Sequence, residues 1–157
     1  MPIVKLPRMG KDEIEELIRE QMICRIAFMG DKHPYIAPFQ YVLMNGSLYF
    51  HFTDYGRKMR LLKLDKPVCV EIERYEPDFS EYSFVALTGK LKVVADPVER
   101  AEAIRRMADD GERMLSENFL VAHGFKKEDG WSSLTPEKPV IIIKLDEVFE
   151  EIGLKSP

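Results

Sequence analysis

The chain has 157 residues, 45% hydrophobic and 10% aromatic, enough for one domain, 1–157, with a real core. Its net charge of −4 argues against a general nucleic-acid binder or a membrane-surface protein, so any basic patch has to be local and suited to something small. No apolar run approaches the roughly 20 residues of a membrane span, and Met1-Pro2-Ile3-Val4-Lys5 lacks the long apolar stretch of a secretory signal, so a cytoplasmic protein is expected.

A capping-box pattern at Asp12 and Glu15, followed by Ile14, Leu17, Ile18 and Met22 on one face, predicts an amphipathic N-terminal helix. Ile23 to Met29 reads as a strand, Gly30-Asp31-Lys32-His33 as a turn and Pro34 to Met44 as a long strand. Asn45-Gly46 suits a type I′ turn, because both central residues take positive φ, and it returns the chain along Ser47 to Thr53. On that return strand Leu48, Phe50 and Phe52 share one face, read as core, while Tyr49, His51 and Thr53 share the other, which is chemically equipped.

A short helix is expected over Tyr55 to Leu64, a strand over Pro67 to Arg74, a loop at Glu76-Pro77-Asp78 and a long strand over Tyr82 to Ala95 with a bend or bulge at Gly89. Asp96-Pro97-Val98-Glu99 is a strong helix start, leading through about Met107. A second helix is expected from Glu112 to about His123, an irregular segment from Phe125 to Lys138, and an apolar strand from Pro139 to Leu145 with a tail holding one more short strand. Strands joined by hairpins, without alternating helices, predict a mainly β protein with flanking helices (α+β), its antiparallel sheet closed into a small barrel that removes exposed edges.

Cys24 and Cys69 lie far apart without Cys-x-x-Cys spacing and read as buried core thiols. His33, His51 and His123 are scattered without i, i+4 spacing, so no metal site is expected. Two Asn and two Gln among 32% charged residues lean towards a heat-adapted origin.

The stretch His51-Phe52-Thr53-Asp54-Tyr55-Gly56-Arg57-Lys58 carries the chemistry: a polar strand end runs into a glycine turn and then two adjacent cations that open a helix. Unpaired backbone N–H groups, the Arg57 fork, the Lys58 point charge and a Thr53 hydroxyl together suit a phosphate, against the alternative of a solvated helix face. His51 reads either as a cofactor contact or as a partly buried structural histidine, and Gln40 either as a hydrogen-bond partner for a ligand or as a half-exposed strand residue. Trp131 either covers a ligand ring or anchors its loop on the barrel, with the anchor favoured.

In order, Cys24-Arg25-Ile26-Ala27-Phe28, His33-Pro34-Tyr35-Ile36-Ala37-Pro38-Phe39, the Asn45-Gly46 hairpin, Leu48-Tyr49-Phe50-His51 and Gly56-Arg57-Lys58 resemble the pyridoxamine 5′-phosphate oxidase-like flavin-binding superfamily. Within it the chain is similar to the branch that includes nitroimidazole-resistance reductases. The resemblance implies a split β-barrel homodimer with FMN in a cleft at the subunit interface and its phosphate on Arg57 and Lys58. The flavin ring would run along Pro38, Phe39, Gln40 and Tyr41, with Thr53 and His51 between ring and phosphate. It further implies an oxidoreductase passing electrons from a nicotinamide to a small organic substrate; a deazaflavin- or haem-binding barrel and a non-catalytic flavin module are the alternatives. No Arg-x-Val-Leu-Leu-Lys element is present, and Lys155-Ser156-Pro157 stands where the true oxidases have Arg-Leu-x-Pro, so vitamin B6 oxidation is not expected.

Overall fold

A computed structural model describes residues 2–157. Helix α1 (Lys11–Glu20) is followed by strands β1 (Ile23–Phe28), β2 (Tyr35–Met44) and β3 (Ser47–Phe52), helix α2 (Arg57–Lys63), and strands β4 (Val68–Tyr75) and β5 (Tyr82–Val93). Helices α3 (Pro97–Met114) and α4 (Glu117–Leu120), three single 3-10 turns and the long strand β6 (Ile141–Lys155) complete the chain. All six strands pair antiparallel and close into a barrel in the order β1-β2-β3-β6-β5-β4. The expected antiparallel barrel with flanking helices is the observed architecture, and no helix among the described residues is long and apolar enough to cross a membrane.

Local chemistry accounts for most boundaries. Asn45 and Gly46 take φ of 53° and 76°, as the hairpin requires. The first helix is capped two residues earlier than its sequence suggests, because Gly10 rather than Asp12 is the N-cap and the Glu13 carboxylate accepts its N–H at 3.0 Å; Met22 lies beyond the helix. Register shifts flank Gly89, where an added Cβ would stand 2.1 Å from the Glu147 carbonyl oxygen, so the bulge needs a residue without a side chain.

Three expectations are corrected. The helix after Asp96 does not stop near Met107 but runs to Met114 through Gly111, and the second helix shrinks to α4 and the 3-10 turn Val121–His123. Gly111 is there for close packing, since a Cβ would meet the Trp131 ring at 2.2 Å. The last strand and the tail are one strand, β6; its middle, Asp146 to Glu151, is exposed throughout, so no two-residue burial alternation marks it. Cys24 is core, and burial pushes its thiol up, but Cys69 is only half-buried on the outward face of β4.

The protein has two apolar layers. Ile26, Phe28, Phe39, Phe50, Phe52, Val70, Ile72, Val85 and Ile143 fill the barrel, plugged by Ile14, Leu17 and Ile18 of α1. On the outer face of β2, β3 and β6, Val42, Tyr49 and Ile142 pack beneath Ala103, Ile104 and Met107 of α3 together with Leu120 and Trp131. This second layer covers the face of β3 that the sequence leaves chemically equipped.

Candidate functional site

Strand β2 serves two neighbours in succession. Tyr35 to Gln40 pair with β1, Tyr41 to Met44 pair with β3, and β3 turns to β6 over Tyr49 to Phe52. The β3-facing edge of Tyr35–Gln40 therefore has no strand partner among the described residues, and the barrel is split there. Backbone donors and acceptors along such an edge are available to a ligand or another chain.

Helix α2 stands at the mouth of this split. Gly56 (φ 95°) is its N-cap and turns the chain so that two adjacent cations diverge. The Arg57 guanidinium lies 5.1 Å from the centre of the Tyr35 ring and lines an open cavity of about 440 Å3 between α2 and the turn before β2. Lys58 is half-buried with Nζ 4.7 Å from the centre of the Phe39 ring, and burial lowers its pKa. Among the described residues no carboxylate lies within 4.0 Å of Arg57, Lys58 or Arg60. A desolvated ammonium without a counter-ion is costly, which favours an anion beside it. The Thr53 hydroxyl gives its one proton to the Tyr55 carbonyl at 3.0 Å and would have to turn from that carbonyl to donate to a phosphate.

The nine residues singled out by sequence divide into separate environments. Thr53, Arg57 and Lys58 gather at the split. Pro38 is exposed on β2, whereas the side chains of Phe39 and Tyr41 point into the core: Phe39 stacks on Phe52 with ring centres 5.2 Å apart, and the Tyr41 hydroxyl donates to the Ile18 carbonyl at 2.6 Å. The Tyr41 N–H donates to Met22 O at 2.9 Å, so by antiparallel alternation the backbone groups of Phe39 and Tyr41 face β1, and those of Ile36, Pro38 and Gln40 face the open edge. Gln40, His51 and Trp131 are buried in the second apolar layer.

There Gln40 Nε2 donates to the Met107 carbonyl (2.9 Å), Gln40 Oε1 lies 2.8 Å from His123 Nε2, and His123 Nδ1 lies 3.0 Å from His51 Nδ1. With the amide so oriented, His123 carries its proton on Nε2 and accepts at Nδ1, so His51 donates from Nδ1: one chain of donors runs from His51 to α3. Trp131 closes it edge-on, 5.6 Å from His123, with its indole N–H on the Leu115 carbonyl at 3.2 Å, the anchoring role. His123 is the member that sequence reasoning missed; it lies 72 residues from His51, and no spacing signal joins them.

Burial lowers His51 to about 3 and His123 to about 4; the neighbouring imidazole and Lys58 add to the shift at His51, and Lys58 adds to it at His123. Both are thus neutral in the fold and protonate near 6.5 when unfolded, so their contribution is present above pH 6.5 and is lost as pH falls towards 4. Glu71 works the other way: burial and the adjacent Glu73 raise it to about 7, so its effect favours the fold as pH falls from about 7 to 4.5. In a Glu71→Gln background the urea midpoint is therefore expected to drop from pH 7 to pH 5, with a slope of up to about 1.4 kcal/mol per pH unit for each imidazole. NMR signals of both rings that titrate above pH 5.5 would overturn this.

A six-stranded antiparallel barrel with one unpaired strand edge, beside a helix start carrying two adjacent cations, defines a split barrel. The model of the pyridoxamine 5′-phosphate oxidase family matches residues 10–137, and the chain belongs to that family. No curated protein matches the sequence. Among solved structures the fold is similar to that of an FAD-binding protein from Mesorhizobium loti (15% identity, TM-score 0.69, covering 96% of each chain). It is also similar to an FAD- and haem-binding protein from Mycobacterium smegmatis (13%, 0.66, 94% of this chain and 71% of that one). A candidate 5-nitroimidazole antibiotic resistance protein from Bacteroides thetaiotaomicron is 19% identical at a TM-score of 0.62, covering 99% of this chain and 94% of that one. At these identities the likenesses show the fold alone, the split barrel.

Proposed function

We propose that the protein binds FMN along the split between β2 and β3 and works as a flavin-dependent oxidoreductase, passing electrons from a nicotinamide to a small organic acceptor in the cytoplasm. One observation carries the reading: the unpaired β2 edge leads to cations that have no carboxylate within 4.0 Å among the described residues. Family membership and the flavin-binding relatives support the choice of a flavin. The Arg57 fork and the Lys58 ammonium hold the phosphate by charge-assisted hydrogen bonds, with the Thr53 hydroxyl beside them. Backbone groups of Ile36, Pro38 and Gln40, which alternate onto the open edge, orient the ring; Pro38 has no N–H and offers only its carbonyl. The second apolar layer keeps this edge rigid from behind. The bound flavin supplies hydride and electron transfer, so the chain needs no acid–base dyad.

Adding FMN to flavin-free protein is expected to quench flavin fluorescence with saturation and to shift the absorbance bands, a spectrum that a deazaflavin or haem would not give. NADH or NADPH added without oxygen should then bleach the bound flavin. A folded protein that leaves FMN fluorescence untouched sinks the cofactor reading; bound flavin left oxidised by both nicotinamides sinks only the reductase reading.

We also propose that the working unit is a homodimer built on the outward face of β1 and β4. Ile36, 61% exposed, pairs in register with Ala27, which pairs with Cys69, and none of these is buried within the chain. Next to them Arg25 makes its short contact with Glu73, and the buried Oε1 of Glu71, 3.5 Å from Arg25, has no hydrogen bond. A partner surface would give that oxygen a donor. Ile36→Glu places a charge in this face and is expected to turn the dimer into a monomer in analytical ultracentrifugation. A wild type that sediments as a monomer removes the dimer.

A further inference from the structure

The outward face of the β4–β5 hairpin holds a cavity that the flavin reading leaves unused. On β4, Val70 and Ile72 point into the barrel, whereas Glu71, Glu73 and Tyr75 alternate to the outside. Glu73 pairs in register with Phe84 and Tyr75 with Tyr82, so two carboxylates and a run of aromatic rings share one face. The open cavity they line measures about 330 Å3, within the roughly 300–1,000 Å3 of small-ligand sites.

Two irregularities converge there. Glu71 Oε1 is the one buried side-chain nitrogen or oxygen among the described residues that has no hydrogen-bond partner. Phe79 takes a φ of 57°, a left-handed conformation unfavourable for a bulky residue. The turn enforces it: the Phe79 N–H donates to the Glu76 carbonyl at 2.8 Å and the Ser80 N–H to Asp78 Oδ1 at 2.9 Å. An exposed ring is thereby stacked on Tyr75, centres 4.8 Å apart and planes 10° from parallel, and lies 5.9 Å from Tyr82.

Charge selects the ligand. Arg25 faces both carboxylates, in short contact with Glu73 and 3.5 Å from Glu71, while Arg74 on the cavity wall is paired with Glu20. Two carboxylates against one guanidinium leave a surplus negative charge, and burial together with Glu73 raises Glu71 to about 7. Aromatic faces and carboxylates both attract cations.

We propose that this cavity binds an organic cation, an ammonium or guanidinium group on an apolar body: the charge on Glu71 and Glu73, the body on Tyr75, Phe79 and Tyr82. The site is independent of the flavin reading. The cation has two sources, a free molecule or a Lys or Arg side chain of a second copy across the β1–β4 face.

Calorimetric titration with benzamidine, a cation at neutral pH, and with its neutral isostere benzamide tests the site. Benzamidine is expected to bind at least about tenfold more tightly, the effect of one charge-assisted contact. Its affinity should rise between about pH 6 and pH 8, because ligand and proton compete for Glu71. The groups facing that carboxyl are Glu73 on its own strand and Arg25 on β1; opposite it on β5 stands Ala86, which does not titrate. Glu71→Gln should abolish both the preference and the pH dependence. Phe79→Gly, which relieves the left-handed strain and so keeps the fold, should weaken benzamidine about tenfold. Binding by wild type identifies a free molecule as the source; binding only by the Ile36→Glu variant identifies a side chain of the second copy. Equal affinity for benzamidine and benzamide in both proteins, or a preference that survives Glu71→Gln and Phe79→Gly, overturns the inference and leaves the flavin reading untouched.

Discussion

Replacing Arg57 and Lys58 together by alanine is expected to weaken FMN binding by two to four orders of magnitude, since each charge-assisted contact is worth about 1.5–3 kcal/mol. The two cations diverge, one over Tyr35 and one over Phe39, so each single variant should lose part of the effect. Among the described residues neither side chain forms an ion pair that would support the fold, and His51 and His123, neutral in the fold, feel the Lys58 charge only when protonated. Thermal stability without ligand should therefore stay close to wild type. Binding of the wild type should weaken with rising salt, less steeply than at an exposed site because Lys58 is half-buried. Fluorescence titration gives the affinities, and an unchanged dissociation constant in the double variant eliminates the proposed phosphate site.

Trp131→Ala is expected to be the most destabilising single substitution of those discussed, about 3–5 kcal/mol for the lost aromatic side chain and its cavity. At this chain length that corresponds to a Tm lower by roughly 6–20 °C. The indole is 3% exposed, covers His123 and closes against Gly111 of α3, so its loss opens the donor chain from His51 to α3 to water. Gly111 supplies a sign test of the same contact. Gly111→Ala in the wild type should destabilise, because its Cβ would stand 2.2 Å from the ring, despite the better helix propensity of alanine. In the Trp131→Ala background the clash is gone and the same change should stabilise by up to about 1 kcal/mol. Additive effects of the two substitutions in a thermal-melt cycle would refute this packing.

Where the signal was local, the sequence could be read directly. The Asn45-Gly46 turn, the Asp96-Pro97 helix start and the bulge at Gly89 depend on the φ, donor or side-chain size of one or two residues, and each stands where its residues put it. Gly111 was harder, because a glycine that admits a neighbouring ring looks the same in sequence as one that ends a helix. The middle of β6 was invisible for another reason: a strand exposed throughout carries no two-residue period.

The same division runs through the candidate site. Sequence alone determined the barrel class, the family resemblance and the position of the Arg57–Lys58 pair, because hydrophobic period, turn chemistry and adjacent charges are all properties of neighbouring residues. Tertiary structure alone decided that the polar face of β3 is roofed by α3, which turns Gln40, His51 and Trp131 into one buried network with His123. It alone left the Tyr35–Gln40 edge of β2 without a strand partner. Which face a helix covers, and which strand a neighbour abandons, depend on contacts between residues tens of positions apart, and no local pattern records them.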